Sequence, residues 1–242
     1  MQHPLRRLTL KTPHLVNMRD LGGYACAGGV TRYGQVLRSN APIGVLQEDI
    51  DFLYAQGLLD VIDLRSNGEI EAAPNSFLNH NSICVHTLFA NVEHVSMAAM
   101  VASMSVAQDL GAFYIELAET YAEIFVRVLQ LVANAKGTVL IHCHAGKDRT
   151  GVACALLLLC LGVAEMDVVG DYQLTDTYMK MVFKQFASPE IPAVILASNP
   201  ASMEKLLAHL NENYGGATAY LQKHGLDGET LLRLKTKLVQ TL

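Results

Sequence analysis

The stretch that decides the fold is GTVLIHCHAGKDRTGVACALLLLCLGV, residues 137 to 163. Its opening, Gly137 to His142, is a compact apolar run that reads as a buried strand. Its close, Val152 to Val163, is continuously apolar, but its 12 residues fall short of the roughly 20 that a membrane helix needs, so it reads as a buried core helix. Between the two lies a loop with Cys143 at the strand end, Gly146 in the turn and Arg149 just before the helix proper. A loop that passes through Ala145 and Gly146 into a helix N-terminus aims successive backbone N–H groups inward. That is a nest for a tetrahedral dianion such as phosphate.

The side chains around this nest suit phosphoryl transfer. The loop amides and the helix dipole favour the thiolate form of Cys143, which makes it a nucleophile. Arg149 offers a planar pair of donors matched to two phosphoryl oxygens, a geometry that lysine does not reproduce. Thr150 is placed to hydrogen-bond the thiolate as it leaves a phosphocysteine intermediate, and His142 braces the cysteine from the strand side. His144, Ala145, Gly146, Lys147, Asp148 and Arg149 are the expected substrate-binding residues. A second cation at Lys147 suits a highly charged substrate such as a phosphoinositide; its plain alternative is a solvated lysine.

Working outward, Leu58 to Leu64 and Ser82 to Leu88 read as further strands, and Glu48 to Gln56 as a helix ending at Gly57. Residues 17 to 40 alternate glycine clusters with short strand-like pieces such as Gln35 to Arg38. Tyr114, Leu117, Tyr121, Ile124, Phe125, Val128 and Leu131 recur at helical spacing, which predicts one long amphipathic helix with a Met- and Ser-rich, lid-like lead-in from 96 to 105. After Gly162, helices are predicted over Glu165 to Met181, Ala201 to Glu212 and Glu229 to Gln240. Alternating strands and helices imply an α/β fold with a mainly parallel central sheet and helices on both faces, ligands binding at the carboxyl ends of the strands. The 242 residues fit one domain, with the lid and long helix at about 96–133 and a helical part at about 164–242.

Composition narrows the class of function. Half of the chain is hydrophobic (51%), 17% is charged and the formal net charge is -5. That balance describes a globular protein and disfavours a nucleic-acid surface, which carries an excess of Lys and Arg. Five cysteines without a CxxC pair fit reduced thiols in the cytoplasm rather than disulfides or zinc; Cys154 and Cys160 read as small buried hydrophobes, and Cys26 and Cys84 as inert. Pro4 and Pro13 interrupt an N-terminal segment with no signal-peptide core, which leaves only non-classical export as a route out of the cytoplasm. No stable membrane insertion, cofactor or metal is expected.

HCHAGKDRTG, residues 142 to 151, resembles the HCxxGxxR signature of the protein tyrosine phosphatase superfamily. NMRDLGGY at 17–24, LRSNAP at 37–42, DLRSNGE at 63–69 and YGGATAYLQKHGL at 214–226 extend the resemblance to its bacterial tyrosine and dual-specificity, lipid-phosphatase-like branch. The resemblance implies a phosphatase-type fold and hydrolysis of phosphotyrosine, with phosphoserine, phosphothreonine or phosphoinositides as further substrates and inorganic phosphate as product. A phosphate-binding module without turnover is the competing reading, disfavoured by an intact nucleophile.

A proton donor for the leaving group is also needed, usually an Asp. The Trp-Pro-Asp loop of many relatives is absent, since this chain contains no Trp. Asp148 resembles the acid position of myotubularin-type lipid phosphatases and is the first choice; Asp63, at a strand end, is second, and Asp109 third. Arg65 and Glu69, four apart, are expected to form a structural ion pair with one another. Arg19 and Asp20 are expected to pin the N-terminal glycine-rich segment.

Overall fold

The computed structural model describes residues 10–92, 109–186, 191 and 193–241. The lid-like lead-in expected at 96–105 lies outside them.

The central sheet has five strands in the order β1 (Arg19–Asp20), β4 (Val36–Ser39), β7 (Thr138–His142), β5 (Leu58–Asp63) and β6 (Cys84–Thr87). The last four run parallel and β1 is antiparallel to β4. Strand β7 is buried at every residue, as its unbroken apolar run requires of a strand covered on both faces. The register places Ser39 and Asp63 beside His142, so three strands end together where the Cys143 loop begins. A second sheet joins β2 (Ala25–Cys26), β3 (Gly29–Thr31) and β8 (Val239–Gln240). It ties the glycine-rich segment to the far end of the chain.

Two apolar cores flank the central sheet. On one face, helix α1 (Gln47–Ala55) and the 3₁₀ turn Ser76–Asn79 close over Leu37, Val61 and Leu140 through Ile50, Leu53 and Phe77. The larger core lies on the other face. It is built by α3 (Leu110–Thr120), α4 (Ala122–Asn134), α5 (Asp148–Cys160), α6 (Glu165–Phe186), α8 (Pro200–Tyr214), α9 (Ala217–Lys223) and α10 (Gly228–Leu238). Helix α5 is its axis. Its residues from Arg149 to Leu158 are all buried, and each of Leu156, Leu157 and Leu158 contributes about 2 kcal/mol through burial.

Several helix limits differ from those the periodicity predicts. The long helix is two, α3 and α4, broken at Tyr121, which caps both. The break lets α3 pack on α8 while α4 packs on α10, and it seats the Tyr121 ring edge-on to Phe89 at 5.3 Å. The last predicted helix ends at Leu238, where the chain extends into β8. Two short helices, α2 (Asn67–Ala72) and α7 (Ala193–Leu196), stand where no apolar period marks them. Both border the site. Among the described residues no helix is long and apolar enough to cross a membrane.

Candidate active site

The loop from Cys143 to Lys147 leaves β7 and enters α5, whose first residue is Asp148. Its carbonyls face outward and are held there. The His144 carbonyl accepts from the Ala41 N–H at 2.8 Å, that of Ala145 from Asn17 Nδ2 at 2.9 Å, and that of Gly146 from Arg38 Nη2 at 2.7 Å. The N–H groups of His144, Ala145, Gly146 and Lys147 have no hydrogen-bond acceptor among the described residues. Turned carbonyls on the outside and unspent amides on the inside are the anion nest expected from the sequence. Gly146 makes the turn at φ +68°, and a Cβ on it would lie 2.1 Å from the Ser39 carbonyl oxygen, so the loop needs glycine twice over.

A small cavity opens over the nest, lined among others by Cys143, Arg149, Asp148, Glu69, Phe183, Ile195 and Leu196. Cys143 lies at its floor, 2% exposed. Arg149 reaches across it. Its Nη1 donates to the Leu64 carbonyl at 2.7 Å and to Glu69 Oε2 at 2.7 Å, and its Nη2 donates to Glu69 Oε1 at 2.8 Å. That uses the end of the guanidinium and leaves its side edge, Nε–H and the second Nη2–H, without a protein acceptor among the described residues. The expected pairing of Arg65 with Glu69 is therefore corrected. Glu69 sits at the third position of α2, where its carboxylate also accepts from the Ser66 N–H at 2.9 Å and hydroxyl at 3.1 Å, and this capping box turns it toward Arg149. Burial acts to raise the Glu69 carboxyl, but the hydrogen bonds and charge of Arg149, with those of Ser66, hold it below the ordinary range.

Arg65 pairs instead with Asp63, donating through Nε at 2.9 Å and Nη2 at 2.7 Å. Asp63 has no exposed surface and also accepts from Asn75 Nδ2 at 3.2 Å, so the structure places it beneath the site and not on the cavity wall. His142 completes this buried group. Its Nδ1 lies 3.0 Å from the Cys143 carbonyl oxygen, an acceptor, so the ring proton belongs on Nδ1, and Nε2 accepts from Asn75 at 2.9 Å. Burial lowers His142 below its ordinary range despite the charge of Asp63, in keeping with this neutral ring.

Asp148 lies on the cavity wall, where its Oδ1 accepts from the Tyr114 hydroxyl at 2.7 Å and stands 3.3 Å from Lys147 Nζ. Tyr114 in turn hydrogen-bonds Tyr172, and burial raises both phenols well above their ordinary value. Asp109 does not line the cavity: it caps α3 through Gly111 and Ala112 and pairs with Lys205. Lys147, read in sequence as a second cation in the loop or a solvated lysine, lines the cavity and is not solvated. It is 1% exposed and donates to the carbonyls of Ile195 and Ala197. The Thr150 hydroxyl is buried and has no partner among the described residues.

Behind the loop, Arg19 and Arg38 converge on Asp171 of α6. Arg19 Nε donates to Oδ1 at 2.9 Å, Arg38 Nη1 to Oδ2, and the Tyr24 hydroxyl to Oδ1 at 3.0 Å. Burial alone would raise Asp171; the two guanidinium groups override it and hold the carboxyl far below the usual range. Arg19 thus pins the N-terminal segment as expected. Asp20 does so through the N–H groups of Gly22 and Gly34, at 2.8 and 2.7 Å.

Comparison with known proteins agrees with this geometry. A family model described as "Tyrosine phosphatase family" matches residues 10–240. A Cupriavidus necator protein provisionally named a tyrosine-protein phosphatase is 31% identical over 223 residues, covering 85% of this chain and 80% of its own. A tyrosine-protein phosphatase of Nostoc commune is 28% identical over 83% of this chain and 73% of its own. A "Triple specificity protein phosphatase PtpB" of Mycobacterium tuberculosis is 29% identical over a shorter span, 45% of this chain and 46% of its own.

Proposed function

This chain belongs to the tyrosine phosphatase family and is a phosphatase, and from that premise we propose that it hydrolyses phosphotyrosine through a phosphocysteine intermediate. The observation that carries the reading is the unspent side edge of Arg149. With its end locked on Glu69 and Leu64, the guanidinium presents two parallel donors beside Cys143, the arrangement that grips two phosphoryl oxygens.

In this reaction Cys143 Sγ attacks phosphorus in line, and the bond from phosphorus to the ester oxygen breaks. The leaving oxygen takes a proton from Asp148, a reading supported by the position of Asp148 on the cavity wall, whereas Asp63 is fully buried. Water then attacks phosphorus and gives its proton to Asp148. The phosphorus–sulfur bond breaks, and inorganic phosphate departs. The loop amides and Arg149 hold the equatorial oxygens throughout. The Thr150 hydroxyl, without a partner among the described residues, hydrogen-bonds the returning thiolate. His142 and Asp63 position the Cys143 strand end and Arg65, and touch no substrate.

Phe183, Ile195 and Leu196 give the cavity an apolar wall, which suits the ring of phosphotyrosine. The likeness to a triple-specificity enzyme extends the proposal to phosphoserine and phosphothreonine. Lys147 lines the cavity while donating to the carbonyls of Ile195 and Ala197, and phosphoinositides stay among the proposed substrates. Free thiols at all five cysteines fit a reducing compartment such as the cytoplasm.

Turnover of para-nitrophenyl phosphate and of a phosphotyrosine peptide, without added metal, tests the reading. Cys143→Ser should abolish it and vanadate should inhibit it. A wild-type protein that binds phosphate and turns over no phosphoester would be a binding module, and the proposal would fall.

A further inference from the structure

The outer edge of the central sheet carries a group of side chains that phosphate chemistry does not use. In the parallel register of β5 and β6, Asp60 lies opposite Cys84, and Ile62 opposite His86. Side chains alternate along a strand, so Cys84 and His86, two apart, share one face of the sheet. A carboxylate oxygen of Asp60, the Cys84 sulfur and a ring nitrogen of His86 all lie within 4.8 Å of one another. Asp60 Oδ1 and His86 Nε2 are 2.8 Å apart. Cys84 is exposed, while the Asp60 and His86 side chains are 21% and 25% exposed, so an ion can reach them without the fold opening.

We propose that Asp60, Cys84 and His86 form a binding site for a divalent cation of the zinc class, with water as the fourth ligand. The donor set selects the ion. A thiolate and an imidazole beside one carboxylate suit zinc and its neighbours in the first transition row, whereas magnesium and calcium take oxygen ligands. Tetrahedral zinc bond lengths place such ligand atoms roughly 3.5 Å apart, so the Asp60–His86 pair, now 2.8 Å apart, must part slightly, while the exposed Cys84 side chain, whose sulfur lies within 4.8 Å of both, closes in by rotation. The charge of Asp60 also acts on Lys237, but that ammonium donates to the carbonyls of Val132, Ala135 and Gly137 and leaves the carboxylate accessible.

Binding forms a metal–sulfur bond and releases the thiol proton to solvent. His86 coordinates through one ring nitrogen and keeps its proton on the other. No electron moves, and affinity rises with pH as the thiol proton becomes easier to displace. The ion fastens the edge strand β6 to β5, so its effect is on stability rather than on turnover. Sequence spacing conceals this site, because its donors come from a Cys-x-His pair and a carboxylate on a neighbouring strand.

The test is a cobalt titration of the full chain carrying Cys143→Ser, which removes the loop thiol as a competing ligand. A thiolate-to-cobalt charge-transfer band should saturate at one equivalent and disappear on addition of zinc. Cys84→Ala should abolish the band, and His86→Ala should weaken binding about 10-fold or more. Absence of the band in the parent, or its survival in Cys84→Ala, would overturn the proposal. Superimposable metal-free unfolding curves verify that the variants are folded, and a rise in parent Tm with zinc that Cys84→Ala lacks gives an independent readout.

Discussion

Glu69 and Arg149 meet edge to edge, both carboxylate oxygens on both terminal nitrogens, at 2.7 and 2.8 Å. The contact fixes which side of the guanidinium is left for phosphate. Glu69→Gln removes the charge and one acceptor, and the freed guanidinium can turn its end toward solvent or ligand. A loss in kcat/KM of roughly 10-fold, about 1.4 kcal/mol of transition-state stabilisation, is expected from steady-state kinetics. Since Glu69 titrates below its ordinary value when folded, its contribution to stability is full above the ordinary carboxylate range. It is lost as pH falls through the folded value. The Tm gap between wild type and Glu69→Gln should therefore narrow in acid.

Asp148→Asn should separate substrates by leaving group. With a poor leaving group, which needs a proton as the ester bond breaks, kcat should fall by about 100-fold or more. With a good one such as para-nitrophenolate, the fall should be much smaller. Equal losses on both would point away from Asp148 as the acid, and Asp63→Asn supplies the comparison, since it should lower stability before it alters leaving-group dependence.

At Gly146, alanine meets the Ser39 carbonyl at 2.1 Å and a left-handed backbone. The strain alone is worth about 1–3 kcal/mol, and the overlap forces the loop off Ser39 as well. Gly146→Ala should lower Tm and abolish turnover together. A variant with normal kcat would contradict the role given to the outward-turned carbonyl.

Asp171→Asn strips the buried countercharge from Arg19 and Arg38. Removal of one partner of a buried ionic group costs about 3–5 kcal/mol, measurable by denaturant unfolding. Because the Asp171 carboxyl is depressed in the folded state, the stabilisation is present above the ordinary carboxylate value and fades only at strongly acidic pH. The variant should consequently show a flatter loss of stability through acid than wild type does.

Parts of the molecule were legible in sequence where one physical signal dominates. The strands β5 and β7 and the body of helix α5 from Val152 on are dominated by apolar residues, and the nest follows from a glycine between such a strand and helix. The break at Tyr121 was hidden because apolar spacing continues through it; only the separate packing partners of α3 and α4 reveal it. Glu69 was visible but misassigned, since a four-residue spacing suggested Arg65 while the better clue was Ser66 three positions before it, the mark of a capped helix. Asp171 resembled one more charge on an amphipathic helix. Its importance depends on two arginines from segments more than a hundred residues away, which no local pattern encodes.

Lys147 joins the phosphate-gripping loop to the wall above it through two main-chain oxygens, those of Ile195 and Ala197. Main-chain acceptors are present whatever side chains these two positions carry. Substitution at 195 can thus reshape the wall of the cavity while the fastening to the loop persists. The side of the wall that meets a substrate and the side that anchors it to the loop rest on different atoms of the same residue, Ile195.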